Sequence, residues 1–121
     1  MSKIVQAVNA MVSNPDLISA VEAYQEELFF KYKSKYTWSM TKNKEGIYFL
    51  WYYPSSPDID QLLDRAANEY WENISMVRYR TDEIGTKEAV ASFAELYTLL
   101  QEKEFGMNEV LDDIISDGDP F

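Results

Sequence analysis

Three carboxylates are the most closely spaced groups in this chain that could do chemistry. Asp58 and Asp60 are two residues apart, and Asp64 follows four residues later. Carboxylate oxygens can share a divalent ion, and a bound ion can activate water for hydrolysis. A metal-dependent hydrolase that uses the Asp58 cluster is therefore one hypothesis. The alternative is that these acidic residues begin a helix, because the free N–H groups of a first helical turn favour negative charge. We prefer the helix start and predict no metal site and no cofactor.

Two residue types that dominate enzyme chemistry are missing from the chain. It contains no His and no Cys, which excludes a Ser-His-Asp triad, a thiol nucleophile and a zinc site of the Cys/His type. The four glycines stand at positions 46, 85, 106 and 118, too far apart for a phosphate-binding loop. We therefore expect a protein that is not an enzyme.

A second group of residues mixes amines with aromatic rings in the first half of the chain. Sheets hold single-stranded nucleic acid by stacking bases on aromatic rings and pairing phosphates with cations. The residues that fit this pattern are Lys33, Lys35, Trp38, Lys42, Lys44 and Trp51. The net charge of −10 opposes a polyanion. We therefore rank nucleic-acid binding as the alternative hypothesis and binding to a protein partner as the first.

Negative charge is concentrated in the second half of the chain. Residues 1–56 hold six Lys/Arg and five Asp/Glu, whereas residues 57–121 hold five and sixteen. If the last two helices present these carboxylates together, the surface resembles a phosphate array in charge density and suits a basic partner. The residues predicted to bind that partner are Glu95, Glu102, Glu104, Glu109, Asp112, Asp113 and Asp117. A solvated acidic exterior without a partner is the structural alternative.

These observations favour a non-enzymatic binding protein that inhibits or regulates a basic protein partner. A small, acidic, aromatic-rich chain without His or Cys is similar in general character to bacterial toxin-immunity and anti-defence inhibitors, although no motif carries that similarity. In the last helix, apolar residues form more than one stripe, namely Val110, Leu111, Ile114 and Ile115. Such a helix either docks on the core or pairs with a second copy of the chain, so a homodimer is a further hypothesis.

The elements that must position these residues follow from the spacing of apolar side chains. Helical spacing predicts helices over residues 3–12, 16–33, 58–71, 87–104 and 108–115. Strand alternation predicts a hairpin over residues 36–53, with a turn at 43–46, and a third strand over 74–81. The order α-α-β-β-α-β-α-α indicates an α+β fold with a small three-stranded, largely antiparallel sheet and about five helices.

Length and hydropathy set the remaining expectations. A chain of 121 residues suits a single domain over residues 1–121, with a flexible tail at 116–121. The longest strongly apolar run, residues 47–53, is seven residues long, whereas a helix needs about 20 to cross a bilayer. The N-terminus has no signal-peptide pattern. We therefore expect a cytoplasmic protein without a membrane partner.

Overall fold

The computed structural model describes residues 2–68 and 74–118 and has an α+β architecture built on one five-stranded antiparallel sheet. Each strand pairs with the next one in the chain, so the strand order is β1-β2-β3-β4-β5. The strands are β1 Ile18–Tyr24, β2 Glu27–Tyr32, β3 Tyr36–Lys42, β4 Tyr48–Tyr53 and β5 Val77–Arg80.

Five α-helices accompany the sheet. They are α1 Lys3–Ser13, α2 Ile59–Ala67, α3 Thr81–Ile84, α4 Lys87–Glu104 and α5 Met107–Gly118. A short 3-10 turn, Pro15–Leu17, joins α1 to β1. Within residues 2–68 and 74–118, no helix is long and apolar enough to cross a membrane.

Helices cover both faces of the sheet and bury a separate core on each. On the first face, α1 and α4 pack against alternate residues of the strands, among them Leu28, Phe30, Met40 and Leu50. On the second face, Ile59 and Leu62 of α2 pack against Phe29 and Tyr53. Consecutive strand residues therefore enter opposite cores, as the two-residue period of a strand requires.

The prediction of a three-stranded sheet is wrong, because residues 16–33 do not form a helix. They form the β1–β2 hairpin, with Tyr24 paired to Glu27 at its turn. A bulge explains why the sequence looked helical. Ala20 has a positive φ of 55° and the register shifts between Ser19 and Glu22. The bulge therefore places Ile18 and Val21 on the same face at a spacing of three residues, which imitates a helical stripe.

The predicted hairpin over residues 36–53 is confirmed as β3 and β4. Its turn is held by Asn43, whose side-chain oxygen accepts hydrogen bonds from the backbone N–H groups of Glu45 (3.0 Å) and Ile47 (2.9 Å). Gly46 supplies the positive φ of 82° that the turn needs. Beyond the turn, the N–H of Tyr48 donates to the buried Thr81 hydroxyl at 3.1 Å, which ties β4 to the start of α3.

Other predicted boundaries change by a few residues. The third predicted helix corresponds to α2, which ends at Ala67, and its expected end near residue 71 lies outside the described residues. The strand predicted over residues 74–81 is shorter in the structure, where it consists of β5 alone. Of the predicted tail, residues 116–118 belong to α5, whereas residues 119–121 lie outside the described residues.

Candidate functional site

Helix α4 holds the first part of the predicted acidic surface against the sheet. The Thr86 hydroxyl caps the helix by accepting a hydrogen bond from the Ala89 N–H at 3.1 Å. Phe93 and Leu96 on the inner side are fully buried in the first-face core. Since one side of the helix is fixed in this way, Glu95 is left exposed on the outer side.

A sharp turn at Gly106 starts the second part of the surface. Its N–H donates to the Lys103 carbonyl at 3.2 Å, and its φ of 63° is one that glycine adopts without strain. Helix α5 begins at the next residue, Met107. Phe105, directly before the glycine, is 69% exposed. The linker between α4 and α5 is therefore exposed.

Helix α5 has two distinct sides and buries neither of them. We call its apolar side the α5 stripe, and it consists of Met107, Val110, Leu111, Ile114 and Ile115. These residues recur at spacings of three and four, so they share one side of the helix. Ile114 and Ile115 are 60% and 66% exposed, and no described residue of α5 is buried. The sequence left open whether this helix docks on the core or pairs with a second copy, and the structure leaves these apolar side chains exposed.

The predicted acidic residues other than Glu104 lie on exposed sides of α4 and α5. We call the full predicted set the acidic surface: Glu95, Glu102, Glu104, Glu109, Asp112, Asp113 and Asp117. Glu104 is half-buried and the other six are exposed. Within the described parts of the chain, none of the seven takes part in a salt bridge within 4.0 Å. Their charges are therefore left without a close internal counter-ion.

Two grooves connect three residues of the acidic surface across the two helices, and Lys103 also lines one of them. Glu95 and Glu102 line a groove with Val12 of α1. Glu102 and Glu109 line a second groove, which lies between α5 and the turn at Pro15. Glu102 belongs to both grooves, so it joins the α4 carboxylates to those of α5.

Acidic residues nearer β5 are placed differently, because arginines neutralise them. Arg80 donates two hydrogen bonds to Asp82, at 2.9 and 2.7 Å, and these hold the pKa of Asp82 below its usual range. Arg78 pairs with Glu83 at 3.0 Å. The carboxylates around α3 are therefore neutralised, whereas those of α4 and α5, like Asp60 and Asp64 of α2, form no salt bridge among the described residues.

The alternative nucleic-acid residues do not share one surface. Trp38 packs on the first-face core, whereas Trp51 packs on the second-face core. The four lysines divide between the two ends of β3: Lys33 and Lys35 lie beside its start, and Lys42 and Lys44 lie at its end. These six residues therefore do not form one continuous row of rings and amines. Nucleic-acid binding stays a prediction.

The Asp58 cluster forms the start of a helix. Asp58 is the N-terminal flanking residue of α2 and lies 3.7 Å from the Lys31 ammonium, while Asp60 lies in the first turn. Among residues 2–68 and 74–118, no group of three carboxylates is arranged to hold a metal ion.

Comparisons with known proteins identify no relative of this chain. No protein-family model, no curated protein and no solved structure matches the chain. The site must therefore be interpreted from its own residues.

A polar network on the second face was missed by sequence reasoning. The Ser39 hydroxyl donates to Glu27 at 2.6 Å and lies 2.8 Å from the Tyr53 hydroxyl. Since Ser39 has one hydrogen, Tyr53 must donate to it. Burial raises the pKa of Glu27, although the Ser39 hydrogen bond opposes the shift. No local spacing links these residues, because they come from three different strands.

Proposed function

We propose that this protein is a non-enzymatic binding protein that inhibits or regulates a basic protein partner, of the toxin-immunity or anti-defence type. Its contact surface is α5, together with the acidic residues on the outer side of α4. The cytoplasm is the proposed compartment, on sequence grounds alone.

One observation carries this proposal: α5 leaves its apolar stripe uncovered while carboxylates occupy its other side. A helix that served only to complete the fold would bury an apolar side on the core. Here Val110 and Leu111 are each 44% exposed, and the residues at 114 and 115 are more exposed still. Exposed aliphatic side chains in a contiguous row are typical of surfaces that bind another macromolecule.

The two sides of α5 have different roles in the proposed complex. The carboxylates attract and orient a basic partner, which raises the association rate at low ionic strength. The stripe enters an apolar groove of the partner and supplies most of the affinity, in the manner of other amphipathic helices. The partner is therefore a protein with an apolar groove rimmed by Lys and Arg.

A pair of double variants tests the two roles by comparative capture from native lysate. Ile114→Ser with Ile115→Ser removes apolar contact and keeps every charge. Asp112→Lys with Asp113→Lys reverses two charges and keeps the stripe. We expect both variants to lose a basic protein that the wild-type chain captures, and the loss with the lysine variant to be greatest at low salt.

The matched control reverses Glu22 and Glu45, which are exposed and lie outside α4 and α5. Each reversal adds two positive charges, so the control and the Asp112/Asp113 variant both carry −6 in place of −10. The control must retain the captured protein. If both lysine variants lose it equally, net charge rather than the α5 surface is responsible, and the proposal is wrong.

A further inference from the structure

The second face of the sheet contains a half-buried carboxylate, that of Glu27. Glu27 lies at the start of β2 and faces the same side of the sheet as Phe29. Across the described residues it forms no salt bridge, and its one hydrogen bond uses Oε2, to the Ser39 hydroxyl. Burying a carboxylate without an opposite charge is costly. A group that supplied the positive charge would remove that cost.

Aromatic and apolar side chains surround this carboxylate. Glu27, Trp51, Tyr53 and Met76 line a cavity of about 250 Å³. Ser39 pairs with Trp51 across β3 and β4, so the hydrogen-bonded serine lies beside the indole. Aromatic faces attract organic cations, and they do so most strongly where water is excluded. Trp51, Tyr53 and Met76 carry no positive charge that could neutralise the carboxylate, whereas the Trp51 ring can hold the alkyl part of a cation.

Tyr24 extends the aromatic surroundings on the other side of Glu27. It pairs with Glu27 at the end of the β1–β2 hairpin, and both residues line a neighbouring cavity of about 280 Å³. Each cavity is smaller than the pockets that hold drug-sized molecules, about 300–1,000 Å³. The space therefore fits one cationic group with a short alkyl chain rather than a large ligand.

We propose that Glu27, with the ring of Trp51, forms a binding site for an alkylammonium group. The carboxylate pairs with the ammonium through Oε1, while Ser39 keeps Oε2 in place and Tyr53 in turn donates to Ser39. The half-buried Trp51 ring contacts the methylene groups and the partial positive charge next to the nitrogen, while Tyr53, which is 1% exposed, supports the site from the core. This site lies on the face of the sheet opposite α4, so it does not depend on the proposed function of α5.

The probes are n-butylammonium and Nα-acetyl-lysine amide, which represent a free amine and a lysine side chain. Binding is followed by the indole N–H signals of the three tryptophans in nitrogen-15 NMR spectra. The Trp51 signal is assigned by its loss in Trp51→Phe. We expect saturable shifts of the Trp51 signal and a higher melting temperature. The Trp38 signal, from the first face, is the internal control and must stay in place.

The variant Glu27→Gln removes the charge and keeps an acceptor for Ser39. We expect it to bind n-butylammonium at least about tenfold more weakly. Glu45→Gln makes the same chemical change in the exposed β3–β4 turn and must bind as the wild type does. If n-butylammonium shifts the Trp51 signal and Nα-acetyl-lysine amide does not, the ligand is a small free amine. If both probes shift the signal, the site also accepts a lysine side chain. Either result supports the site.

n-Butanol provides a control that needs no variant. It has the same alkyl chain as n-butylammonium and no charge. If it shifts the Trp51 signal as strongly, or if Glu27→Gln binds n-butylammonium as tightly as the wild type, the site is merely apolar and the proposal fails. It also fails if neither amine shifts the signal at a pH at which Glu27 is ionised.

Discussion

Phe29 and Phe30 are consecutive residues, both fully buried, that lie in different cores. Phe29 packs on the second face with Ile59 and Leu62, whereas Phe30 packs on the first face with α1 and α4. Strand β2 is therefore covered on both sides. It also pairs on both edges, with β1 and with β3. Strand β2, which the sequence pattern predicted to be helical, is thus packed on both faces and paired on both edges.

Truncating either ring should therefore be costly. We expect Phe29→Ala and Phe30→Ala each to lower the free energy of unfolding by about 3–5 kcal/mol, the range for large-to-small changes in a core. Urea denaturation measures both. Leu111→Ala, on the exposed α5 stripe, is the control and should cost less than about 0.5 kcal/mol. A small effect at position 29 with a large one at position 30 would mean that α2 does not form a core.

The buried Thr81 hydroxyl gives a second prediction about stability. It accepts the hydrogen bond of the Tyr48 N–H inside the protein. Thr81→Val keeps the shape of the side chain and leaves that N–H without a partner. We expect a loss of about 1–3 kcal/mol in the free energy of unfolding. Thr81→Ser keeps the hydroxyl and should lose less, and the reverse order would contradict the role of the hydrogen bond.

Glu27 should make stability depend on pH in a particular direction. Burial raises its pKa in the folded protein, so the folded state keeps a proton that the unfolded state loses near pH 4.3, roughly the usual value for Glu. Stability therefore falls as the pH rises from the unfolded pKa through the folded one. Tyr53, whose pKa is also raised by burial, stays protonated throughout this window.

The variant Glu27→Gln isolates this effect. We expect the variant to gain stability relative to the wild type as the pH rises through the window, and then to keep a constant difference. Thermal or urea unfolding at a series of pH values measures it. A difference that is the same at every pH would show that Glu27 titrates alike in the folded and unfolded states.

The state of association in solution distinguishes a basic partner from a second copy of the chain. Each copy of the chain carries a net charge of −10, so pairing two copies brings together like charges that repel most strongly at low ionic strength. We therefore expect a monomer by sedimentation equilibrium at low salt. A dimer that survives in the Glu22/Glu45 control and disappears in Ile114→Ser with Ile115→Ser would instead favour the homodimer hypothesis.

Local patterns predicted the parts of this fold that local interactions decide. The β3–β4 hairpin has regular alternation and a turn that Asn43 and Gly46 define by themselves. Helix α4 has a cap at Thr86 and a long apolar side, so it was placed within its observed bounds. The spacing also predicted a short last helix with a wide apolar surface, although burial or exposure of that surface depends on whether the core has room for it.

Non-local contacts decided what the sequence could not predict. The bulge at Ala20 gave β1 a helical spacing, and pairing with β3 gave β2 its place in the sheet. The Glu27–Ser39–Tyr53 network joins residues that are 12 and 14 positions apart on paired strands. Strand register determines such contacts, and no short motif encodes it.

Amide hydrogen exchange over residues 107–118 tests the central claim most directly. In the isolated protein, α5 has no buried side chain to protect it, so we expect fast exchange there and slow exchange in α4. In the complex with the captured basic protein, we expect exchange in α5 to slow, while the Glu22 and Glu45 regions stay unchanged. If α5 exchanges as fast in the complex as in the isolated protein, it is not the docking element.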